Sequence, residues 1–249
     1  MAETLLVARA ITRRFGGLVA VNAVSLDLER GAVHAVIGTN GAGKSTLINI
    51  LSGEIAASEG TVELLGQDVT RLSQPRRALR GLGRSYQRNT IFPQFTVTEN
   101  CRLAAQAVRQ RPWAIWERAA ESPDANQLAR TAIERAGLTH DAARLAGSLP
   151  HGRKRQLEIA LCLATTPRVL LLDEPLAGMG AEETERMLAL LAHLKSDHAI
   201  LLVEHDMDAV FRIADRITVM VNGVAIASDT PPNVRANAEV QRAYLGEGH

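Results

Sequence analysis

Apolar and polar positions alternate in two stretches near the start of the chain. Leu5-Leu6-Val7-Ala8-Arg9-Ala10-Ile11 and Ala23-Val24-Ser25-Leu26-Asp27-Leu28 are strand candidates, punctuated by Gly16-Gly17 and Arg30-Gly31. Residues 32–37 form a continuous apolar run, the pattern of a buried strand. Ser45-Thr46-Leu47-Ile48-Asn49-Ile50-Leu51 then reads as a helix, closed by Gly53 just past its end. Residues 60–66 add another short strand. From about residue 97 to 165 the pattern turns helical and is interrupted by Pro112, Pro123 and Pro150. Residues 109–124 read as an elaborated loop or broken helix within it. Strands return at residues 169–172, 199–203, 217–221 and 224–227. An amphipathic helix lies among them, with Met187, Leu190, Leu191 and Leu194 on a face that reads as core packing. The order predicts an α/β frame with a helical lobe inserted. No internal repeat or low-complexity segment interrupts it.

Composition narrows the classes. The chain has 249 residues, 46% of them apolar, enough for one large α/β domain or a core with a small second lobe. A net charge of +1 leaves no electrostatic footprint for nucleic acid or for an anionic membrane surface. No apolar run approaches the ~18 residues of a membrane span. Met1-Ala2-Glu3 lacks the basic region of a secretory leader. These features predict a soluble cytosolic protein, with docking on a membrane partner left open. Cys101 and Cys162, far apart in apolar settings, are expected to be reduced core thiols.

The chemistry concentrates in Gly38-Thr39-Asn40-Gly41-Ala42-Gly43-Lys44-Ser45-Thr46, a complete phosphate-binding loop between a strand and a helix. Gly38, Gly41 and Gly43 let the backbone turn tightly and aim N–H groups at one point. Lys44 adds a cation for the outer phosphates, and Ser45 offers a hydroxyl to Mg²⁺. A helix dipole behind the loop favours the same anion. The apolar strand at residues 169–172 ends in Asp173-Glu174. Ligands of open parallel sheets sit at the carboxyl ends of strands. Asp173 is therefore placed to hold Mg²⁺ and Glu174 to polarise an attacking water. His205 follows another apolar strand end, where it is expected to touch the γ-phosphate and orient the water and Glu174.

With these elements the chain resembles the ATP-binding subunits of ABC transporters over nearly its whole length. Gln87, in Gly83-Arg84-Ser85-Tyr86-Gln87, looks like the family's Q-loop glutamine. The resemblance implies that Gln87 binds Mg²⁺ and the lytic water and senses the membrane partner. Phe15 matches the aromatic that stacks on adenine. Leu176-Ala177-Gly178-Met179-Gly180 occupies the D-loop, with Gly180 where the usual aspartate stands. The signature, commonly Leu-Ser-Gly-Gly-Gln, is here Leu149-Pro150-His151-Gly152-Arg153. Pro150 replaces the serine and has no N–H. A contact from this helix start to a second subunit's γ-phosphate would therefore rest on backbone N–H groups, chiefly around Gly152. The run from Pro150 to Ala160, Glu174-Pro175-Leu176-Ala177-Gly178-Met179, and the closing Arg242-Ala243-Tyr244-Leu245-Gly246-Glu247 look like the branched-chain amino-acid (Liv-type) uptake ATPases, the G-type subunit in particular.

This resemblance implies a P-loop NTPase fold of ABC type: an α/β core with an N-terminal antiparallel β subdomain and an inserted α-helical subdomain. The expected boundaries are about 1–87 and 166–249 for core and β subdomain, and about 88–165 for the helical subdomain. It further implies ATP and Mg²⁺, with ATP cradled by Phe15, Gly38, Asn40, Gly41, Ala42, Gly43, Lys44, Ser45 and Thr46. Pro150, His151 and Gly152 would meet the nucleotide of the partner subunit. The implied partners are hydrophobic permease subunits, a second ATPase subunit (a copy of this chain or an F-type partner) and, indirectly, a periplasmic binding protein. The implied place is the cytoplasmic face of the inner membrane, peripherally attached. Ile91, Phe92, Pro93 and Phe95 form an apolar cluster expected to dock the permease. Non-transport ATPases of this type, as in iron–sulfur assembly, and lipopolysaccharide exporters are the competing readings.

Overall fold

A computed structural model describes residues 3–85, 91–109 and 122–245. The chain opens with two long antiparallel strands, β1 (Thr4–Phe15) and β2 (Leu18–Glu29), joined by a turn at Gly16-Gly17. Gly16 adopts φ +58°, the left-handed conformation that lets so short a connection follow the strand twist. Register shifts near Ala8–Arg14 bend the hairpin. β4 (Glu59–Leu64) pairs with the other edge of β1, and β5 (Gln67–Asp68) pairs with β4. Leu5, Leu6, Ile11, Val62 and Leu64 are buried in the core, with Leu5 and Leu6 adjacent where a register shift breaks the alternation of β1.

A second sheet of six strands runs in the order β10-β9-β3-β8-β7-β6. Its central strands are β3 (Val33–Gly38), β8 (Ala199–Val203) and β7 (Val169–Asp173), parallel and buried along their whole length. Both faces are covered, which is why these segments read as continuous apolar runs rather than alternations. β6 (Leu82–Arg84) extends the parallel set beyond β7, and β9 (Arg216–Val221) extends it beyond β3. β10 (Val224–Asp229) pairs antiparallel with β9. One face of the sheet packs towards β1, β2 and the loop helix α1 (Lys44–Ser52). The other packs against α5 (His151–Ala164) and α6 (Ala181–Leu194). On α6 the stripe Met187, Leu190, Leu191 and Leu194 is buried as expected.

The helical stretch comprises α3 (Val97–Arg109), α4 (Pro123–Arg135) and α5, packed on one another. Pro123 and Pro150 stand at helix starts, where a missing N–H is harmless. Pro112 and most of residues 109–124 lie outside the described residues. Short helices complete the chain: α2 (Gln74–Ala78), α7 (Met207–Ile213), α8 (Pro231–Ala236) and α9 (Ala238–Leu245). Cys101 and Cys162 are buried free thiols, and burial pushes each up to about 12. Among the described residues no helix is long and apolar enough to cross a membrane.

Candidate functional site

The carboxyl ends of β3, β8 and β7 lie side by side. Val36 and Asp173 both register with Val203, so the loop after β3, the acids after β7 and the histidine after β8 emerge along one edge. The loop turns on glycines with different constraints. Gly41 has φ +79° and open space around it, so it supplies conformation alone. Gly43 has φ +98°, and a Cβ there would overlap the carbonyl oxygen of Ala20 on β2. Gly38 is likewise pressed against the backbone of Met220 on β9. The turn at Gly223 braces the loop from outside by donating its N–H to the Ala42 carbonyl at 3.0 Å.

α1 starts at Lys44 behind Gly43 with no side-chain cap and no acidic residue in its first turn. Its positive end is thus left for an external anion. The Lys44 ammonium donates to the carbonyls of Gly38 at 2.7 Å and Thr39 at 3.0 Å. Burial lowers its pKa, while Glu174 and Asp173 act to raise it. Asn40, Ser45 and Thr46 lie on the same loop and helix start, with Ser45 exposed.

Asp173, the last residue of β7, is buried. Its N–H donates to the Ser85 hydroxyl at 3.3 Å, and its Oδ2 lies 3.9 Å from the Arg84 guanidinium. Burial raises its pKa, with Arg84 the main opposing influence. Oδ1 is buried without a hydrogen-bond partner. An unpaired buried carboxylate oxygen is costly, and it fits a site for a hard cation. The available donors, the Asp173 carboxylate and the Ser45 hydroxyl, are oxygens, and among the described residues no cluster of three or more His, Cys, Asp or Glu exists. Such a sparse oxygen set suits Mg²⁺, which keeps several waters and takes its other ligands from phosphate.

Glu174 adopts φ +49°, a strained conformation for a residue with a side chain, held by its N–H to the Val203 carbonyl at 2.9 Å. His205 Nδ1 lies 3.9 Å from Glu174 Oε1, beyond hydrogen-bond reach. His205 is itself 63% exposed at its side chain.

Four supporting residues escaped the sequence reading. Glu204 is fully buried, and accepts the N–H of Leu176 at 2.8 Å and of His205 at 3.2 Å, tying the two strand ends together. Its signal was an acid at the end of an apolar strand. Arg84 bridges Asn49, Ser52 and Glu54 at the end of α1 to the Asp173 carboxylate. Arg77 is buried beneath α1 and donates to its last carbonyls. Glu183, on the first turn of α6, accepts the N–H of Gly152 at 3.2 Å. Their contacts with α1, Asp173 and Gly152 carry no local pattern, because those partners are distant in sequence.

Phe15 ends β1, 45% exposed, with the Arg13 guanidinium 4.6 Å from its ring centroid. It is not a core residue. Phe92 and Phe95 stack 5.5 Å apart and are both largely exposed, whereas Ile91 packs on the core. Gln87 lies outside the described residues. Pro150 and His151 are exposed and Gly152 is buried at the start of α5, on a different element from the loop. The expected free N–H at Gly152 is taken up within the chain by Glu183.

Comparison with known proteins places this geometry. The family model described as ABC transporter matches residues 21–177, and that described as branched-chain amino acid ATP-binding cassette transporter matches residues 226–249. The high-affinity branched-chain amino acid transport ATP-binding protein BraF of Pseudomonas aeruginosa is 39% identical over 99% of this chain and 100% of its own length. The corresponding protein LivG of Escherichia coli is 40% identical with the same coverage. Among solved structures, a nucleotide-free ATP-binding cassette from an ABC transporter superposes with a TM-score of 0.88 at 29% identity, covering 98% of this chain and 100% of that one. The ADP conformation of an ATP-binding cassette gives a TM-score of 0.84 at 28% identity, with the same coverage.

Proposed function

Because the chain belongs to the ABC transporter family of ATP-binding subunits, we propose that it binds and hydrolyses ATP to energise uptake of branched-chain amino acids or closely related small solutes. The observation that carries the reading is the convergence of the glycine loop, Lys44, Asp173 and Glu174 at the carboxyl edge of three adjacent parallel strands. The solute class rests on the two relatives' names and on the match over the last residues of the chain.

The loop N–H groups and Lys44 grip the β- and γ-phosphates, and Phe15 stacks on the adenine. Ser45, Asp173 and Gln87 would hold Mg²⁺, which would supply positive charge to neutralise the phosphates. Glu174 accepts a proton from the attacking water, and His205 steadies the γ-phosphate and Glu174. Arg84 opposes the upward shift that burial imposes on the neighbouring Asp173. Catalysis is then mostly positioning and charge stabilisation.

Two such subunits meet head to tail, so that Pro150, His151 and Gly152 of each face the nucleotide of the other. The second subunit is another copy of this chain or an F-type partner, and the resemblance favours the mixed pair. The region of residues 88–165 acts as a helical subdomain, and the remainder as core and β subdomain. The exposed Phe92–Phe95 pair docks a hydrophobic permease subunit, which places the chain peripherally on the cytoplasmic face of the membrane. A periplasmic binding protein delivers the solute on the far side, and nucleic acid has no part. Reconstitution with permeases tests this: ATPase activity should rise with a binding protein loaded with leucine, isoleucine or valine. A response to none of a solute panel, or no co-purifying permease, would refute the importer assignment.

A further inference from the structure

Two helices begin within reach of one carboxylate. Glu183 Oε2 accepts the N–H of Gly180, the residue that opens α6, at 3.4 Å. Its other oxygen, Oε1, accepts the N–H of Gly152 on the first turn of α5 at 3.2 Å. Pro150 and Gly180, which precede these helices, have no side-chain oxygen to cap them with. The carboxylate therefore sits between the positive ends of two helices. A Cβ on Gly152 would come 2.5 Å from Oε1, so only glycine lets the carboxylate in. Arg186, which lines the same crevice, pairs with Glu182 instead. Beside it, His151 Nε2 lies 3.0 Å from the Ala177 carbonyl. The segments 151–152 and 177–180 are thus tied together twice within one chain.

We propose that Glu183 is an internal stand-in for phosphate: it occupies the Gly152 N–H within the chain and releases it when the nucleotide of the second ATPase subunit arrives. The proposal rests on the reading that the start of α5 faces that nucleotide. One N–H cannot serve two anions at full strength, and a carboxylate beside the incoming γ-phosphate repels it. Closure of the pair must turn Glu183 aside. Glu183 is a positioning residue that makes no contact with the reacting atoms. It holds the helix start in register while the pair is open and sets the ATP concentration at which it shuts.

The assembled transporter in which Glu174→Gln and the matching substitution in the second ATPase subunit leave both nucleotides bound without turnover provides the test. Radiolabelled ATP trapped after rapid filtration is measured against ATP concentration, with and without Glu183→Gln. The neutral amide removes the repulsion, so half-saturation should fall about five-fold with the trapped maximum unchanged. Glu183→Ala should shift it in the same direction, and thermal melts show that each variant folds. A merely structural role would lower the maximum or raise half-saturation, and either result overturns the proposal, as does an unchanged curve. Failure of the Glu174→Gln transporter to trap any ATP would instead overturn the two-subunit reading beneath it.

Discussion

Replacing Arg77 with methionine tests how the phosphate-binding helix is held. Arg77 is 1% exposed and donates four hydrogen bonds to backbone carbonyls: Ile50 at 2.9 Å, Leu51 at 2.8 Å, Leu72 at 3.1 Å and Thr70 at 2.9 Å. The first two are the last carbonyls of α1, where a cation also complements the helix dipole. At about 1.5 kcal/mol for each bond to a charged group, the four sum to roughly 6 kcal/mol. Burial pushes the guanidinium down to about 10, so the cation is held at an electrostatic cost that cancels about half of that sum. The net loss for Arg77→Met is then about 3 kcal/mol. For a chain of this length each kcal/mol moves Tm by about 2–4 °C, giving a fall of roughly 6–12 °C. Differential scanning calorimetry reads it directly. Arg77→Lys should recover less than half, because a single ammonium cannot span carbonyls on both flanks. A fall of less than about 2 °C in the methionine variant would refute the assignment of Arg77 as the anchor of α1.

The site makes further predictions. Glu174→Gln should keep ATP affinity while lowering turnover by at least about 100-fold, measured by ATPase rate and nucleotide retention together; wild-type turnover would remove Glu174 from the base role. Gly43→Ala places a methyl against the Ala20 carbonyl at φ +98° and should cost about 2–3 kcal/mol of stability and most nucleotide binding. Gly41→Ala meets open space and should cost only about 1 kcal/mol; equal effects in calorimetry would contradict the steric argument. Arg84→Met leaves the Asp173 carboxylate without its nearby cation, and a magnesium titration of ATPase activity should shift to about ten-fold higher concentration.

The parts of this protein that could be read from the chain are those fixed by local rules. The parallel strands β3, β7 and β8 announce themselves as unbroken apolar runs because both faces are covered, and the glycine loop because only certain residues permit its turn. β6 is short and interrupted by Gly83, so no periodicity marks it, although it supplies Arg84 beside Asp173. α7 begins with Asp206 accepting the Ala209 N–H at 3.1 Å, a capping signal whose seven-residue helix is too short to show a repeat. The contact between Gly152 and Glu183 could not be foreseen, since nothing in either segment specifies the other. What the sequence lacks is pairing information for residues brought together only by the packed core.

The central claim is that nucleotide triphosphate with its metal settles on the loop between β3 and α1, gripped by Lys44. Thermal unfolding of the purified chain in millimolar Mg-ATP tests it most directly. At about 100 times Kd, binding should add about 2.7 kcal/mol, raising Tm by roughly 5–10 °C, and Lys44→Ala should abolish the rise. A wild-type Tm that Mg-ATP leaves unmoved, or a Lys44→Ala variant that rises as much as the wild type, would contradict the account.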